Sequence, residues 1–302
     1  MAGGSTVFTR TSLYAALDAY LDALRAGDST RVAWAPGARC SENNVQLRPG
    51  DGLWATLTGV GAYDLRFADT ETGQVGFFGS VVETRDESPF TLRLKVAAGA
   101  VAEAECIVVR AADSGIPFPP PVFAPKPALN AMLPAAARMS RTEMIGLADG
   151  YFSTLEQNDG TLRTRFHPDC NRVENGVQTT NNPGLGFLPS ARLGCEAQFR
   201  LGIYRYDDRL RARRYPLVDV ERGLVLASAF IDHCGRVGRY RLTDGTEVES
   251  PVRRPHSFAL LELFKLRAGA IEQIEANFIT VPYHMPCAWA GVTSATPAPP
   301  PP

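Results

Sequence analysis

The feature that most constrains the fold of this chain is an internal duplication. The peptide "RCSENNVQL" begins at Arg39 and "CNRVENGVQT" begins at Cys170, so the pattern E-N-x-V-Q occurs twice. The similarity extends on both sides of these peptides, and it pairs the following positions: Tyr20 with Tyr151, Glu42 with Glu174, and Lys95 with Lys265. A spacing of about 130 residues is far too long for a solenoid repeat. The sequence therefore predicts two copies of one domain.

Two proline-rich stretches mark the limits of these copies. The segment "DSGIPFPPPVFAPKPALNAMLP" lies between them, and prolines disfavour both helix interiors and central strands. We therefore assign residues 1–112 to a first domain, 113–139 to a linker and 140–290 to a second domain. The tail, 291–302, has too little apolar content to pack, and we expect it to be disordered.

Each copy begins with an amphipathic helix and continues with strands. Apolar residues recur at helical spacing near the start of both copies: Leu13, Leu17, Tyr20, Leu21 and Leu24 in the first, and Ile145, Ala148, Tyr151, Phe152 and Leu155 in the second. The later segments, such as "PFTLRLKVAAG", are rich in apolar and β-branched residues and are separated by Gly and charged turns, which is typical of antiparallel strands. This order predicts an α+β fold in which the helices pack on one face of a curved sheet.

Charge and cysteine content exclude several classes of partner. The chain has 31 Lys and Arg against 32 Asp and Glu, so no overall field favours nucleic acid or an anionic membrane. No window approaches the ~18 unbroken apolar residues of a membrane span, and the N-terminus does not read as a signal peptide. Six cysteines occur without a C-x-x-C pair, which favours reduced thiols and a cytoplasmic location.

The duplicated pattern resembles the nuclear-transport-factor-two-like superfamily, which includes SnoaL-like cyclases and ketosteroid isomerase. The resemblance covers both copies and implies two tandem cone-shaped domains. In ketosteroid isomerase the site combines a tyrosine, an acidic base and a second, protonated acid. By this resemblance "CSENNVQ" and "NRVENGVQ" correspond to the base segment, and "LLELFKLRAGAIEQIEANF" to the late strand that carries the neutral acid.

The resemblance implies a role for several acids and tyrosines. Glu174 and Glu42 stand at the position of the base, Tyr151 and Tyr20 at that of the helix tyrosine, and Glu262 at that of the neutral acid. The first copy has Leu92 where the second has Glu262, which makes the second domain the fuller match. Further residues are candidates for contacts with a substrate: Asn175, Asn277, Trp54 and Arg172.

A carboxylate in a largely apolar hollow loses hydration, so its pKa rises and it can exchange protons near pH 7. We therefore expect a cofactor-independent lyase or isomerase, with no metal, that acts on a small apolar cyclic or aromatic molecule by dehydration, double-bond migration or retro-aldol cleavage. General acid–base catalysis by one positioned group is typically worth about 100- to 10,000-fold.

Three alternatives remain open at this stage. Glu42 and Glu174 could instead be structural carboxylates that cap a helix or pair with an arginine. The domains could be non-catalytic binding or assembly modules, and a homo-oligomer is compatible with either function. The four histidines all lie in the second copy, and a metal site that uses them is the third alternative. His233 is also an alternative base, because a strand directs only one of Asp232 and His233 inward.

Overall fold

The computed structural model describes residues 7–186 and 188–291. The chain divides into two compact units, the first formed by Met1–Ala111 with Phe123–Pro125 and the second by Ala112–Val122 with Lys126–Pro302. Of the tail expected to be disordered, residues 292–302 lie outside the described residues.

The first unit contains two helices and six strands within its described residues. They are α1 (Arg10–Arg25), β1 (Trp34–Glu42), β2 (Val45–Leu47), α2 (Leu53–Thr56), β3 (Leu57–Asp69), β4 (Gln74–Glu83), β5 (Asp86–Ala97) and β6 (Ala100–Val108), with a 3₁₀ turn at Ser29–Arg31.

The second unit repeats this order with additions. Its helices are α3 (Pro127–Asn130), α4 (Arg141–Gln157) and α5 (Cys195–Leu201), with 3₁₀ turns at Ala135–Ala137 and Pro189–Arg192. Its strands are β7 (Phe166–Glu174), β8 (Val177–Gln178), β9 (Arg209–Asp219), β10 (Leu224–His233), β11 (Arg239–Arg241), β12 (Glu247–Glu249), β13 (His256–Arg267) and β14 (Ala270–Val281).

The two large sheets have the same topology. Their orders are β2-β1-β6-β5-β4-β3 and β8-β7-β14-β13-β10-β9, each with six strands in the described chain. Pairing is antiparallel except at β1–β6 and β7–β14, which are parallel. The parallel pair arises because the strand that follows the first helix joins the last strand of the domain, across a long connection. The predicted tandem of α+β domains is confirmed.

The long helices form where the sequence supplies both a cap and an apolar stripe. Ser140 accepts a hydrogen bond from the backbone N–H of Glu143, whose carboxylate in turn accepts from the backbone N–H of Ser140, which satisfies two otherwise unpaired helix donors. The apolar stripe of α4 packs on one face of the second large sheet: Met144, Ile145, Ala148, Tyr151, Phe152 and Leu155 join Val225, Ala227, Phe264, Ile274 and Ala276 in one core. We call this face the inner face.

The segment between the two repeats makes backbone contacts with the second unit. Thr280 N donates to Asp113 O at 2.7 Å, and Val122 N donates to Gly176 O at 2.9 Å. Further along, Leu133 N donates to Glu221 O at 2.8 Å. These bonds satisfy backbone groups that a proline-rich segment cannot pair within itself.

The four arginines between 209 and 214 lie in strand β9. Arg209 and Arg211 both pair with Asp232, at 2.8 Å and 2.9 Å. The pairing across the sheet with β10 overrides the local charge pattern. No helix in the described part of the chain combines the length and the apolar character that a membrane span requires.

Candidate active site

A row of aligned residues crosses the inner face of the second domain. Glu174 on β7 is in register with Ala276 on β14, which is in register with Glu262 on β13, and Glu262 faces Ala227 on β10. Residues in register on neighbouring strands project to the same face. The two acids therefore lie on one face with a single alanine between them.

Glu262 is the most buried acid of this row, at 3% exposure. Burial, reinforced by the negative charge of Glu174, raises the pKa of the Glu262 carboxyl to about 8, although Arg172 and a hydrogen bond with Tyr151 oppose the change. The group is therefore mostly protonated at neutral pH, and it can donate a hydrogen bond.

Tyr151 reaches Glu262 from α4. Its ring packs edge-on against Phe199 and Phe264, with ring centroids 5.2 Å and 5.0 Å away, which fixes the direction of the hydroxyl. Burial raises the pKa of Tyr151 well above its usual value, and the charge of Glu262 adds to the effect. The phenol therefore stays protonated and acts as a donor.

Glu174 lies nearer the surface, with 24% of its side chain exposed, and its Oε2 is 3.4 Å from Nε of the buried Arg172. Arg172 is held in place, because its Nη2 donates to Gln198 Oε1 at 2.6 Å and also contacts the hydroxyl of Tyr204. Tyr204 itself donates to Gln198 Oε1 at 2.6 Å. Glu174 is thus a partly hydrated carboxylate beside a fixed cation.

His233 lies on the inner face of β10, while its neighbour Asp232 lies on the opposite face, as the alternation of a strand requires. His233 Nε2 is 2.9 Å from Asp207 Oδ1, and its ring stacks on His256 with centroids 4.5 Å apart. Burial raises the pKa of Asp207, with opposition from His233 and a small contribution from the charge of Glu174. The His233–Asp207 pair therefore lies on the inner face, and the charge of Glu174 acts on Asp207.

The equivalent row of the first domain lacks the second acid. Glu42 is in register with Cys106, and Cys106 with Leu92, so the predicted correspondence of Leu92 with Glu262 holds in the structure. Both oxygens of Glu42 are engaged: Oε2 accepts from the backbone N–H of Leu53 at 2.7 Å, and Oε1 from Arg110 at 3.0 Å. Glu42 therefore caps α2.

The hollow beside Glu42 is nearly filled. Tyr20 packs edge-on against Trp34 and Trp54, with centroids 5.9 Å and 5.2 Å away, and Trp54 is itself buried in this core. The remaining cavity, lined by Tyr20, Glu42 and Trp54 among others, measures ≈ 20 Å³. That volume has room for about one water molecule, which leaves no space for an organic substrate.

The asparagine of the repeated peptide has the same structural task in both copies. Asn43 and Asn175 adopt left-handed backbone conformations, with φ of 49° and 50°. Asn175 Nδ2 donates to Phe278 O at 3.1 Å, and Phe278 N donates to Asn175 Oδ1 at 2.9 Å. Asn43 makes the same two bonds with Val108, at 3.1 Å and 2.9 Å. The pair of bonds extends the parallel pairing by one residue, which explains why E-N recurs.

Asn277 lies between Ala276 and Phe278, which both belong to the inner-face core, so its side chain projects from the other face of β14. The structure therefore does not bring Asn277 to the row of acids. It does bring together Glu174, Glu262, Tyr151 and Arg172.

Sequence reasoning missed the residues that anchor Arg172 and pair with His233. Gln198 lies on α5, and Tyr204 and Asp207 follow it in "GIYRYDD". This segment has no counterpart in the first copy. The sequence did offer a signal for these residues, because the second copy alone has this insertion and the insertion contains two tyrosines and two acids.

Of the four histidines that could have formed a metal site, His233 and His256 stack on each other, and His167 and His284 have other partners. His167 contacts Arg267, His233 contacts Asp207, and His284 contacts Arg209. Within residues 7–186 and 188–291, no group of three or more His, Cys, Asp or Glu side chains is placed to hold a metal ion.

Comparison with known proteins identifies a family without an assigned activity. The family model of DUF8021, described as a domain of unknown function, matches residues 7–108 and again 137–278. The two matches coincide with the two copies seen in the sequence. No curated protein matches the chain.

Several solved structures are similar to about one domain of this chain. An NTF-2 like protein of unknown function from Burkholderia xenovorans is 16% identical, covering 37% of this chain and 88% of that chain, with a TM-score of 0.29. A putative ketosteroid isomerase from Kribbella flavida is 14% identical, covering 41% and 92%, with a TM-score of 0.29. An LEH-like epoxide hydrolase from M. tuberculosis is 15% identical, covering 33% and 84%, with a TM-score of 0.23. These likenesses carry no argument about activity.

Proposed function

The chain belongs to the DUF8021 family, and we propose that its second domain is a cofactor-independent acid–base enzyme, a lyase or isomerase. The observation that carries this proposal is the row of Glu174, Ala276 and Glu262 on the inner face. It places an acid that is protonated at neutral pH on the same face as a partly hydrated carboxylate. Such a pair of unlike carboxyl groups is what proton transfer on a carbonyl compound needs.

Glu174 serves as the base. Its carboxylate removes a proton from the carbon next to a substrate carbonyl, and negative charge then develops on the carbonyl oxygen. Protonated Glu262 donates a hydrogen bond to that oxygen, while the Tyr151 hydroxyl donates to the other oxygen of Glu262. Donors fixed before the reaction stabilise such an oxyanion without having to reorganise.

Two outcomes return the proton that Glu174 took from carbon: delivery to another carbon moves a double bond, and delivery to a leaving hydroxyl completes a dehydration. In a retro-aldol cleavage Glu174 instead removes the proton of a β-hydroxyl group, the bond between the α and β carbons breaks to give a carbonyl compound and an enolate, and Glu174 returns the proton to the enolate carbon. Arg172 supports each of them, because its fixed guanidinium lies beside the carboxylate that gains and loses the charge.

The walls of the inner face favour an apolar ring as substrate. Phe258 and Phe278 pack together, with centroids 4.7 Å apart, and His256 stacks on His233. Nδ1 of His233 is buried and has no hydrogen-bond partner among the described residues. An unpaired buried donor or acceptor is costly, so this atom suits a polar group at one end of the bound molecule.

We further propose that the first domain is not catalytic. Leu92 replaces the second acid, Glu42 caps α2 and pairs with Arg110, and the residual cavity is ≈ 20 Å³. These observations favour the non-catalytic module for this domain, and they leave the proposed chemistry to the second.

The test uses the full-length protein and a panel of cyclic β-hydroxyketones and β,γ-unsaturated ketones, followed by the absorbance of the conjugated product. We expect Glu174→Gln to lower kcat by about 100- to 10,000-fold while the melting temperature stays within a few degrees. Glu143→Gln, at the cap of α4 far along the chain from the row, is the matched control and should retain kcat. Wild-type kcat in Glu174→Gln would remove this residue from the mechanism, and no binding of any panel member would favour a non-catalytic module in both domains.

A further inference from the structure

An open groove lies on the surface of the second unit, beside the first turns of α4 and the turn between β13 and β14. Its volume is ≈ 750 Å³, within the range of roughly 300–1,000 Å³ that small-molecule pockets have. Most of the lining is apolar and comes from Met139, Leu147 and three alanines, whereas the charged groups are three arginines and one glutamate. The groove therefore combines an apolar surface with an excess of positive charge.

Arg165 is the arginine of this groove that lacks an acid. The other two each lie beside a glutamate, at 3.9 Å and 2.8 Å. In the described part of the chain the guanidinium of Arg165 has one partner, the backbone, because its Nε donates to Gly269 O at 2.9 Å. A Cβ added at Gly269 would lie 2.9 Å from Arg165 Nη2, so the glycine lets the guanidinium rest against the turn. Its position is thus set, and its two terminal nitrogens remain for a ligand.

The glutamate of the groove, Glu143, belongs to the cap of α4. Its Oε2 accepts hydrogen bonds from Ser140 N at 2.9 Å and from Ser140 Oγ at 2.6 Å. These bonds and the positive end of the helix dipole stabilise the carboxylate at the cap. The negative charge is therefore already compensated, and the charge that the groove offers to a ligand is that of Arg165.

Gly146 keeps the groove open. It lies in the interior of α4, where glycine weakens a helix. The other glycine of this helix, Gly150, is required by packing, because an added Cβ would lie 2.3 Å from Arg163 O. A Cβ added at Gly146 would meet no atom of another described segment within 4 Å. Packing therefore does not require glycine at 146, and the space that a side chain would fill there is part of the groove.

We propose that this groove binds an apolar monocarboxylate, such as a medium-chain fatty acid. The terminal nitrogens of Arg165 donate hydrogen bonds to the two carboxylate oxygens, a planar match that the guanidinium group makes well. The chain covers Met139 and Leu147 and removes apolar area from water. One arginine without an acid suits one negative charge, and the apolar lining suits the chain.

The test is equilibrium dialysis of the folded, full-length protein with radiolabelled decanoate. We expect saturable binding below about 1 mM, as a ligand of this size with a modest efficiency per atom should show. Two further probes each lack half of the proposed recognition: decanamide has the chain without the charge, and acetate has the charge without the chain. Both should bind more weakly than decanoate.

Two variants locate the ligand. Gly146→Leu fills the groove and should abolish decanoate binding, while the helix is stabilised because leucine favours a helix more than glycine does. Its matched control is Gly238→Leu, which adds the same side chain at an exposed glycine outside the groove, also with open space around the added Cβ. This control should bind as the wild type does.

Arg165→Gln removes the cation and should raise the Kd for decanoate roughly three- to tenfold, the loss expected for a charge-assisted hydrogen bond at an exposed site. Its matched control is Arg241→Gln, which removes an exposed arginine that pairs with Glu247 at 2.9 Å. The Kd of this control should not change. The melting temperature of each variant establishes that it is folded.

The proposal is overturned if decanoate does not saturate the wild type below about 1 mM, or if decanamide or acetate binds as tightly. It is also overturned if folded Gly146→Leu or Arg165→Gln binds decanoate as the wild type does, because the ligand then occupies a different place. The readout is binding rather than turnover, and the variants leave the row of acids unchanged. Failure of this proposal is therefore distinguishable from failure of the proposed catalytic function.

Discussion

Replacement of Glu262 by glutamine removes one titratable carboxyl group from the second domain, and the new side chain has nearly the same shape. In the folded protein burial raises the pKa of this carboxyl from its usual 4.5 to about 8. An acid whose pKa is raised on folding stabilises the fold fully below the unfolded pKa, and that stability is lost as the pH rises towards the folded pKa. The loss therefore falls between about pH 4.5 and pH 8.

The size of the effect follows from the same two values. At ~1.36 kcal/mol per pH unit, the difference between 4.5 and about 8 corresponds to about 5 kcal/mol over the whole range. Between pH 5.5 and pH 7.5 the wild type should lose about 2.5 kcal/mol through this group alone. Glu262→Gln does not titrate, so the free energy of unfolding of the wild type relative to this variant should fall by that amount.

The assay is urea-dependent hydrogen exchange of peptides from β13 and β14, which reports the second unit alone. Other groups titrate in both proteins, so they cancel in the difference. Glu143→Gln is the control. The carboxyl of Glu143 is exposed, and hydrogen bonds with Ser140 lower its pKa. Its contribution to stability is therefore present above the unfolded pKa and is lost only at lower pH. A difference between wild type and Glu262→Gln that stays constant from pH 5.5 to 7.5 would refute the assignment of a neutral, buried acid.

Two further predictions concern neighbours of this site. Tyr151→Phe removes a hydrogen bond that lowers the pKa of Glu262. In the same exchange experiment the stability of this variant should therefore stop falling at a higher pH than the stability of the wild type does; an unchanged midpoint would contradict the contact. Asn175→Ala leaves both backbone groups of Phe278 without the side-chain partner they have now. We expect the free energy of unfolding to fall by about 1–3 kcal/mol, measured by the same hydrogen exchange. Asn181→Ala is the comparison, because the amide of Asn181 is partly exposed.

The sequence was sufficient for the architecture. The repeated E-N-x-V-Q peptide and the paired Tyr20 and Tyr151 predicted two copies of an α+β domain, because periodicity and internal similarity are properties of the local chain. The match of Leu92 with Glu262 was also readable by alignment, and the strand register repeats it. The parallel pairing at β1–β6 and the strand β9 were not readable, since both depend on partners far along the chain.

The chemistry of each acid depended on the tertiary structure. The repeated glutamates have equivalent places in the sequence, yet Glu42 binds the backbone of α2 while Glu174 lies beside Arg172 with part of its side chain exposed. The strongly raised pKa belongs to Glu262, because only the folded domain buries that side chain and brings it near the charge of Glu174. Sequence by itself thus determined which groups the chain has and how the domains are arranged. Which of those groups lose water, and which find an opposite charge, was decided by packing, since hydration and Coulomb energy depend on distance in space rather than along the chain.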